Sequence, residues 1–389
     1  MDPKRQVSAS LAPFGTSIFT EMTQLANRLG AVNLSQGFPD FDGPEELRRL
    51  AAEDLLRGPN QYAPSPGVPE LRQAVAAKLR RFHGLEVDPE REVTVTAGAT
   101  EGLASALLGL LDPGDEVILL EPFYDLYPAM VARAGARPVC VPLQGPGFEL
   151  DQRALERAFN PRTRAVLVNN PQNPCGKVYS AEELRFLGEL CQRHGAVAIG
   201  DEVYEHLVYD GRRHVSLLEV PGLREASIVI SSTAKTFSMT GWKVGYAVAA
   251  PPLTAAVRAA HQFLTFCTPG PLQRAMAVGL GFADDYYREL LEAYTRRRAR
   301  LCDALTELGL EVSRPAGTYY ATWRIGGLGA TDDLEFCRRL AAQAGVAAIP
   351  FSVFYQERRG GRDQVRLAFC KRDDTLEEAI ARLRRWRRS

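Results

Sequence analysis

Short apolar runs alternate with helix-like segments through the middle of the chain. The runs contain few polar residues, which is typical of strands that are buried on both faces of a mainly parallel sheet. Segments with helical spacing lie between them, such as Ala181–His194, and can provide the crossover connections of an α/β fold. The predicted strands cover residues 92–96, 116–120, 165–168, 197–200, 227–231 and 246–249.

The C-terminal part of the chain has a different order of elements. A charged helix is predicted at residues 286–308, then a strand at 317–323, a helix at 332–344, a strand at 364–369 and a closing helix from Thr375. This order indicates a smaller α+β domain. The helix Ile18–Leu29 is too short to be stable alone, so we expect the N-terminal segment to pack with that domain. The expected division is residues 1–45 for this segment, 46–280 for a large α/β domain and 281–389 for the small domain.

Composition narrows the range of partners. Hydrophobic residues make up 46% of the 389, enough for a large core, and 47 basic residues balance 47 acidic ones. This balance gives no electrostatic support for binding nucleic acid or an acidic membrane, and no apolar run is long enough to span a bilayer. The seven cysteines are dispersed and the N-terminus lacks the apolar core of a signal peptide, so we expect a cytoplasmic protein with reduced thiols. The five histidines lack metal-ligand spacing, so no metal is expected.

The most informative stretch of the chain surrounds Lys235. This lysine follows small and hydroxyl residues at positions 231–234, and a second lysine, Lys243, lies close to two glycines. The pattern suits a lysine that carries a cofactor aldehyde as a Schiff base, with a nearby hydroxyl and the second cation holding the cofactor's phosphate. Taken alone, the stretch is equally compatible with a surface strand followed by a loop.

Two further candidates follow the predicted strand at residues 197–200. Asp201 comes directly after it, at the end of a strand where open α/β sheets bind ligands. A carboxylate there can hold a protonated pyridine nitrogen, although aspartate is also a common helix N-cap. Tyr204 lies one helical turn further and can reach the hydroxyl of the same ring, or it is a core tyrosine.

Donors for the remaining polar groups of such a cofactor come from two loops. Asn173 is the asparagine of the second of two Asn-Pro dipeptides, which favour a turned path that presents its amide to a phenolate oxygen; a plain loop is the alternative. Residues 96–101 join a strand to a helix, and backbone N–H groups at a helix start bind phosphate. Ser232 and Lys243 can complete that site, unless Lys243 is an ordinary surface lysine.

Three residues suit an aromatic ring or a substrate α-carboxylate. Tyr124 follows the predicted strand at 116–120 and can stack on a cofactor ring or pack in the core. Gly37, in a tight loop, offers a backbone N–H. Arg366 lies on an apolar strand, where its guanidinium can bind a carboxylate through two parallel hydrogen bonds or form a structural ion pair.

Jointly, these motifs resemble the class I and II aminotransferases, fold type I of the pyridoxal-phosphate enzymes. The resemblance extends from about Ser17 to the C-terminal helix and is closest to the kynurenine, glutamine and methionine aminotransferase subgroup. The matching signatures are N-L-x-Q-G-F-P-D-F at 33–41, D-E-V-Y-E at 201–205, G-K-T-F-S-x-T-G-W-K-V-G at 234–245, with alanine for the first glycine, and I-P-x-S-x-F-Y at 349–355. The resemblance implies a large domain whose mainly parallel, seven-stranded sheet lies between helices, and a smaller α+β domain.

The resemblance also implies a role for each candidate residue. Lys235 would carry pyridoxal 5'-phosphate, Asp201 would pair with its ring nitrogen, and Asn173 and Tyr204 would bind its ring hydroxyl. The other implied contacts are stacking by Tyr124, phosphate binding by Ala99, Thr100, Ser232 and Lys243, and substrate carboxylate binding by Gly37 and Arg366. Only backbone contacts transfer safely to Ala99 and Thr100, because the subgroup has a different run there. Tyr62 would reach the phosphate of a neighbouring subunit, which implies a homodimer with shared active sites.

The expected activity is amino transfer between a neutral or aromatic L-amino acid, of the methionine, glutamine, phenylalanine or kynurenine type, and a 2-oxo acid by a ping-pong mechanism. We expect the side-chain pocket to be walled by Ile18 or Phe19 and by the partner's loop at residues 262–268, which lacks an arginine. Alternatives on the same fold are a cysteine-conjugate C–S β-lyase and a succinyl-diaminopimelate aminotransferase. A non-catalytic regulator with this fold is a further alternative, and the presence of Lys235 argues against it.

Overall fold

The computed structural model describes residues 7–15 and 17–388. Within those residues, no helix combines the length and the apolar character needed to cross a bilayer. The strands are β1 Val32–Asn33, β2 Val93–Thr96, β3 Glu116–Glu121, β4 Arg137–Pro142, β5 Thr163–Asn169, β6 Val197–Asp201, β7 Ser227–Ser232, β8 Gly245–Ala249, β9 Glu311–Ser313, β10 Tyr320–Arg324, β11 Val346–Ala347, β12 Ile349–Pro350 and β13 Gln364–Ala368. The α-helices are α1 Ile18–Leu29, α2 Glu45–Arg57, α3 Pro69–His83, α4 Gly98–Leu110, α5 Leu126–Arg133, α6 Gln152–Ala158, α7 Ala181–His194, α8 Thr233–Thr236, α9 Pro251–Leu264, α10 Gly270–Leu280, α11 Asp284–Glu307, α12 Asp333–Gln343 and α13 Asp373–Arg388.

A seven-stranded sheet with the order β2-β8-β7-β6-β5-β3-β4 forms the centre of the large domain. Strand β8 is antiparallel to both its neighbours, and the other neighbouring pairs are parallel. The mainly parallel seven-stranded sheet implied by the sequence is therefore confirmed. Because β2, β3, β5, β6 and β7 run in one direction, their carboxyl ends meet at one edge, and β8 begins there.

The apolar runs supply two separate cores because successive side chains of a strand point to opposite faces. In β3, Val117 and Leu119 pack on one side of the sheet with residues of α4 and α5. Ile118 and Leu120 pack on the other side with residues of α3, α7 and α10. Strands buried on both faces thus explain the near-continuous apolar runs of the sequence.

Strand β4 was missed by the sequence prediction. Its side chains show little alternation between buried and exposed positions, and several of them are partly exposed. The reason is that β4 is an edge strand with one neighbouring strand in the sheet. The strand predicted at residues 317–323 was placed too early. Thr318 has a positive φ of 65°, so the backbone turns there and β10 begins at Tyr320.

The C-terminal elements form a second packing unit around the sheet β12-β13-β10-β9. Met22 of α1 and Leu34 belong to the same buried cluster as residues of α11, α12 and α13. Strand β1 pairs in parallel with β11. These contacts support packing of the N-terminal segment with the small domain, and we keep the division near residues 45 and 280 as a proposal.

Candidate active site

A cavity of about 380 Å³ lies at the edge of the large sheet where its parallel strands end. The loops after β2, β3, β5, β6 and β7 contribute to its wall, and β10 and β13 of the small sheet close it from the other side. The structure brings most of the predicted site residues together here: Gly37, Ala99, Thr100, Tyr124, Asn173, Asp201, Tyr204, Ser232, Lys235, Lys243 and Arg366 line this one cavity.

Lys235 lies on the short helix α8, directly after β7. Its Nζ donates a hydrogen bond to the carbonyl oxygen of Gly37 at 3.3 Å and lies 5.8 Å from the ring centroid of Tyr204. Burial lowers the pKa of Lys235 to about 8. A larger fraction of its amine is therefore uncharged near neutral pH than for an ordinary lysine, which favours nucleophilic attack on a carbonyl.

Asp201 presents one carboxylate oxygen without a partner. Its Oδ2 accepts a hydrogen bond from the hydroxyl of Tyr127 at 2.7 Å, whereas its buried Oδ1 has no hydrogen-bond donor among the residues that the structure describes. The backbone oxygen of Asp201 accepts hydrogen bonds from the Asn169 side chain and from the Asn170 N–H, which fix the end of β6. Burial raises the pKa of Asp201 and outweighs the Tyr127 hydrogen bond. An unsatisfied buried carboxylate oxygen fits a ligand N–H such as a pyridinium.

Arg366 is buried in the small sheet with part of its hydrogen-bonding capacity unused. Its Nη1 donates to Oδ1 of Asn173 at 2.7 Å and its Nη2 donates to the carbonyl oxygen of Ser35 at 3.1 Å, while Nε has no partner within the described part of the chain. Both partners are uncharged, so the guanidinium charge remains available for an anion. The hydrogen bond to Oδ1 also leaves the amide nitrogen of Asn173 as the group that can donate to a ligand.

An anion cradle lies between α4 and β8. Gly98 has a φ of +72°, and a Cβ placed on it would lie 3.2 Å from Nζ of Lys243. A Cβ on Gly245 would lie 2.9 Å from the backbone nitrogen of Ala99, so β8 approaches the start of α4 too closely for a side chain. Among the described residues, the N-cap residue Ala97 provides no side-chain cap for α4, and the Glu101 carboxylate accepts a hydrogen bond from the N–H of Ala97 itself. Free N–H groups at the start of a helix, with a lysine beside them, suit a phosphate.

Sequence reasoning missed three residues of this site. Tyr127 holds Asp201, Asn169 holds both Asp201 and the Asn173 N–H, and Tyr320 bonds to Tyr204. Tyr127 lies one helical turn after Tyr124, and this spacing was a usable signal. A tyrosine on a strand far along the chain, such as Tyr320, gave no such signal in the sequence.

Two of the predicted residues lie outside this cavity. Ile18 was expected to wall the substrate pocket, but it lines an adjoining cavity. Phe19, the alternative residue for that wall, lines the first cavity. The side chains of α1 point in different directions because successive helical positions are about 100° apart. Tyr62 lies on the surface, 84% exposed, with its ring against Phe266 at 5.3 Å.

A buried charged network is centred on Glu205, the residue after Tyr204 of the cavity wall. Glu205, one turn after Asp201, accepts hydrogen bonds from Lys78, from His83 at 3.3 Å and from Ser231 at 2.8 Å. Burial acts to raise the pKa of Glu205, but the charges of Lys78 and His83 bring it well below its ordinary value. His83, Glu205 and His214 have ligand atoms within 4.8 Å of one another. Lys78 and His83 already balance the carboxylate, so this cluster is a charge network that ties α3 to the loop after β6.

We expect Lys78→Met to destabilise the protein strongly, because it leaves the Glu205 carboxylate buried with less compensating charge. The expected loss in free energy of unfolding is about 3 kcal/mol, measured by urea unfolding of the apo-protein. The matched control is the double variant Lys78→Met, Glu205→Gln, which removes both charges and should recover part of the loss. An unchanged urea midpoint for Lys78→Met would contradict the buried pair.

Comparison with known proteins finds relatives that match the chain over most of its length. The sequence profile of the family described as aminotransferase class I and II matches residues 30–383. A probable N-succinyldiaminopimelate aminotransferase of Mycobacterium tuberculosis is 49% identical over 383 residues, 96% of each chain. A methionine aminotransferase of Escherichia coli is 42% identical over 376 residues, 97% of each chain, and human kynurenine–oxoglutarate transaminase 1 is 36% identical over 404 residues, 95% of each chain.

Solved structures agree with these sequence matches. An N-succinyldiaminopimelate aminotransferase structure from M. tuberculosis superposes with a TM-score of 0.95 at 48% identity and covers 98% of this chain and 100% of its own. An E. coli structure described as having a methionine aminotransferase function superposes with a TM-score of 0.94 at 41% identity and covers 97% of this chain and 99% of its own. The architecture is therefore shared with these enzymes.

Proposed function

This chain belongs to the class I and II aminotransferase family, and from that premise we propose that it transfers the amino group of a neutral or aromatic L-amino acid to a 2-oxo acid. One observation carries the proposal. Lys235, the unpartnered Oδ1 of Asp201 and the unpartnered Nε of Arg366 belong to the lining of a single cavity. A nucleophilic amine, an acceptor for a ring N–H and a cation for a carboxylate are the groups that amino transfer requires.

The residues of the cavity fit pyridoxal 5'-phosphate. The free oxygen of Asp201 would hold its ring nitrogen, Asn173 and Tyr204 would donate to its ring oxygen, and Tyr124 would stack on the ring. The cradle would hold its phosphate through Ala99, Thr100, Ser232 and Lys243. When bound, this cofactor supplies an electron sink for the negative charge that develops at the substrate's Cα.

The chain's own groups then position the substrate and move its proton. Arg366 and the backbone N–H of Gly37 would hold the α-carboxylate, which orients the Cα–H bond toward Lys235. Nζ of Lys235 would take the proton from Cα and later return it, as a base and then as an acid. Its pKa of about 8 suits both steps near neutral pH.

We propose that the protein works as a homodimer. Tyr62, Phe263, Leu264 and Phe266 are exposed large apolar side chains, and Tyr62 and Phe266 pack edge to face with each other. Such a patch on the surface of one chain suits burial against a second copy. In that dimer, Tyr62 and the loop at residues 262–268 would reach the partner's cavity. The seven unpaired cysteines fit the reducing cytoplasm that we propose for this enzyme.

The lining of the cavity favours a donor with an uncharged side chain. Phe19, Phe38 and Tyr320 line it, and the rings of Phe19 and Tyr320 lie against the Arg366 guanidinium. The lysines and the arginine that line the cavity, Lys235, Lys243 and Arg366, each have a role in binding the cofactor or the α-carboxylate. A distal carboxylate would therefore gain no cation from this chain's part of the cavity.

The visible spectrum of the purified protein tests the proposal. Addition of methionine or glutamine without any oxo acid should convert the absorption band of the lysine-bound cofactor to that of its amine form, and 2-oxoglutarate should reverse the change. Failure of the protein to bind pyridoxal phosphate would refute the proposed site. Release of pyruvate and ammonia from a cysteine conjugate, without an acceptor and without a response to methionine or glutamine, would indicate a C–S β-lyase instead.

A second candidate donor is an N-succinylated diaminopimelate, the substrate named for the M. tuberculosis relative. A cavity of about 660 Å³ adjoins the first and shares Ser17, Phe19 and Tyr124 with it. Arg358 contributes to its wall. This space and this cation suit a long donor with a distal carboxylate.

The ratio of kcat/KM for N-succinyldiaminopimelate to that for methionine separates the two candidates. A ratio well above one favours the long acidic donor, and Arg358→Gln should then lower the value for this donor while leaving that for methionine unchanged. A ratio below one, with no effect of Arg358→Gln on either donor, favours the neutral donors.

A further inference from the structure

The hydroxyl of Tyr320 lies between the two halves of the proposed site. Tyr320 is the first residue of β10 in the small domain and pairs with Ala368 of β13. It is 3% exposed, and its oxygen lies 3.1 Å from the hydroxyl oxygen of Tyr204 in the large domain. The hydrogen bond therefore joins the two domains at the cavity.

The surroundings of Tyr320 hold its ring in place. The guanidinium carbon of Arg366 lies 4.0 Å from its ring centroid, a cation–π contact. On the other side, a Cβ placed on Gly37 would lie within 1.8 Å of the Tyr320 oxygen, so any larger residue at position 37 would displace this hydroxyl. The hydroxyl is thus in contact with the part of the cavity proposed for the α-carboxylate and with Tyr204.

We propose that Tyr320 is a positioning residue that directs the proton of Tyr204 toward the ring oxygen of the cofactor; this inference rests on the proposed function. Each phenol has one proton to donate. If Tyr204 donates to a cofactor oxygen, the bond between the phenols is kept only when Tyr320 donates to Tyr204. Burial raises the pKa of both hydroxyls, so both remain protonated at physiological pH.

The expected consequence is a stronger hydrogen bond from Tyr204. A hydroxyl that accepts one hydrogen bond becomes a better donor in the next, and this cooperativity is larger in a buried site. The ring oxygen of the cofactor is then better stabilised as an anion. Loss of the Tyr320 hydroxyl would weaken the hydrogen bond that Tyr204 donates to this oxygen and would raise the pH at which the visible absorption band titrates.

Tyr320→Phe tests the inference because it removes the hydroxyl and keeps the ring over Arg366. Loss of one buried hydrogen bond should weaken pyridoxal phosphate binding to the apo-protein about three- to tenfold. It should also move the midpoint of the pH titration of the visible absorption band upward by about half a unit. Neither measurement depends on turnover.

Two comparisons exclude a merely structural effect. Tyr319→Phe is the matched control, because it removes a neighbouring hydroxyl whose single proton is donated to the carbonyl oxygen of Gly37 at 2.6 Å and is therefore not donated to Tyr204. Its midpoint should stay at the wild-type value. In a Tyr204→Phe background, Tyr320→Phe should cause no further shift, since the bond it supports is already gone.

The inference is overturned if Tyr320→Phe leaves both the midpoint and the dissociation constant of pyridoxal phosphate at wild-type values. It is also overturned if Tyr320→Phe shifts the midpoint equally with and without the hydroxyl of Tyr204. Both results are distinct from a failure of the proposed function, in which the wild-type protein itself would not bind pyridoxal phosphate. Thermal unfolding of each variant verifies that it is folded.

Discussion

Lys235→Ala is expected to lower turnover by a factor on the order of 10⁴ or more, because it removes both the amine that carries the cofactor and the base that moves the proton. The side chain borders a cavity and donates a single hydrogen bond, to the carbonyl oxygen of Gly37. The variant should therefore fold and still bind pyridoxal phosphate without a covalent link. Single-turnover absorbance measurements with methionine would quantify the loss.

Lys235→Arg is the matched control, since it keeps a positive charge but offers no nucleophilic amine at neutral pH. It should be as inactive as Lys235→Ala if chemistry at Nζ is required. Activity within tenfold of the wild type in either variant would contradict the role of Lys235.

The wild-type protein should also show a characteristic pH dependence of cofactor attachment. Burial lowers the pKa of Lys235 to about 8, and only the uncharged amine attacks an aldehyde. The rate at which apo-protein acquires the visible band should rise with pH through about 8 and level off above it. Stopped-flow absorbance measures this rate, and a midpoint near that of an ordinary lysine would show that the amine is not buried in solution.

Asp201→Asn is expected to lower turnover about 10²–10³-fold, the effect typical of removing one preorganised electrostatic contact. Asparagine has nearly the same shape, so the Tyr127 hydrogen bond can persist at one side-chain atom. The carboxylate charge is lost, so a ring nitrogen that faces the amide has a lower pKa and is protonated to a smaller extent. The ring then accepts electrons less readily, and proton removal from Cα slows.

Tyr127→Phe is the matched control for Asp201→Asn, because it removes the hydroxyl that orients the carboxylate but keeps its charge. We expect a smaller loss, about tenfold or less. The exchange rate of the Cα proton of methionine in deuterated water reports this step directly. Equal losses in both variants would mean that orientation rather than charge determines the rate, and an unchanged rate in Asp201→Asn would contradict the pairing with the ring nitrogen.

Much of the local structure could be predicted because its causes lie close together in the chain. Helix α7 has the predicted bounds because Ser180 and Glu183 form a capping box at its start and Gly195 adopts a left-handed conformation after its end. The buried strands were visible as apolar runs because both faces of the sheet are covered. Strand β4 gave no such signal, because an edge strand is buried on fewer sides.

The site itself was predictable in part, for the residues that follow strands. Asp201, Asn173 and Lys235 each come within four residues of a strand's carboxyl end. Since parallel strands end at the same edge, their meeting follows from the order of elements. Arg366 was identified because a cation on an apolar strand requires an anionic or polar partner.

The sequence by itself determined the α/β architecture, the cofactor-bearing lysine as a candidate and the set of polar groups at the strand ends. Only the tertiary structure decided which other side chains form hydrogen bonds with these polar groups. Tyr127 on Asp201, Tyr320 on Tyr204 and Lys78 on Glu205 join positions 74, 116 and 127 residues apart. Local spacing can place one member of such a pair near the site, as it does for Tyr127, but it does not identify the partner, because the pairs form only when the sheet, its covering helices and the small domain pack together.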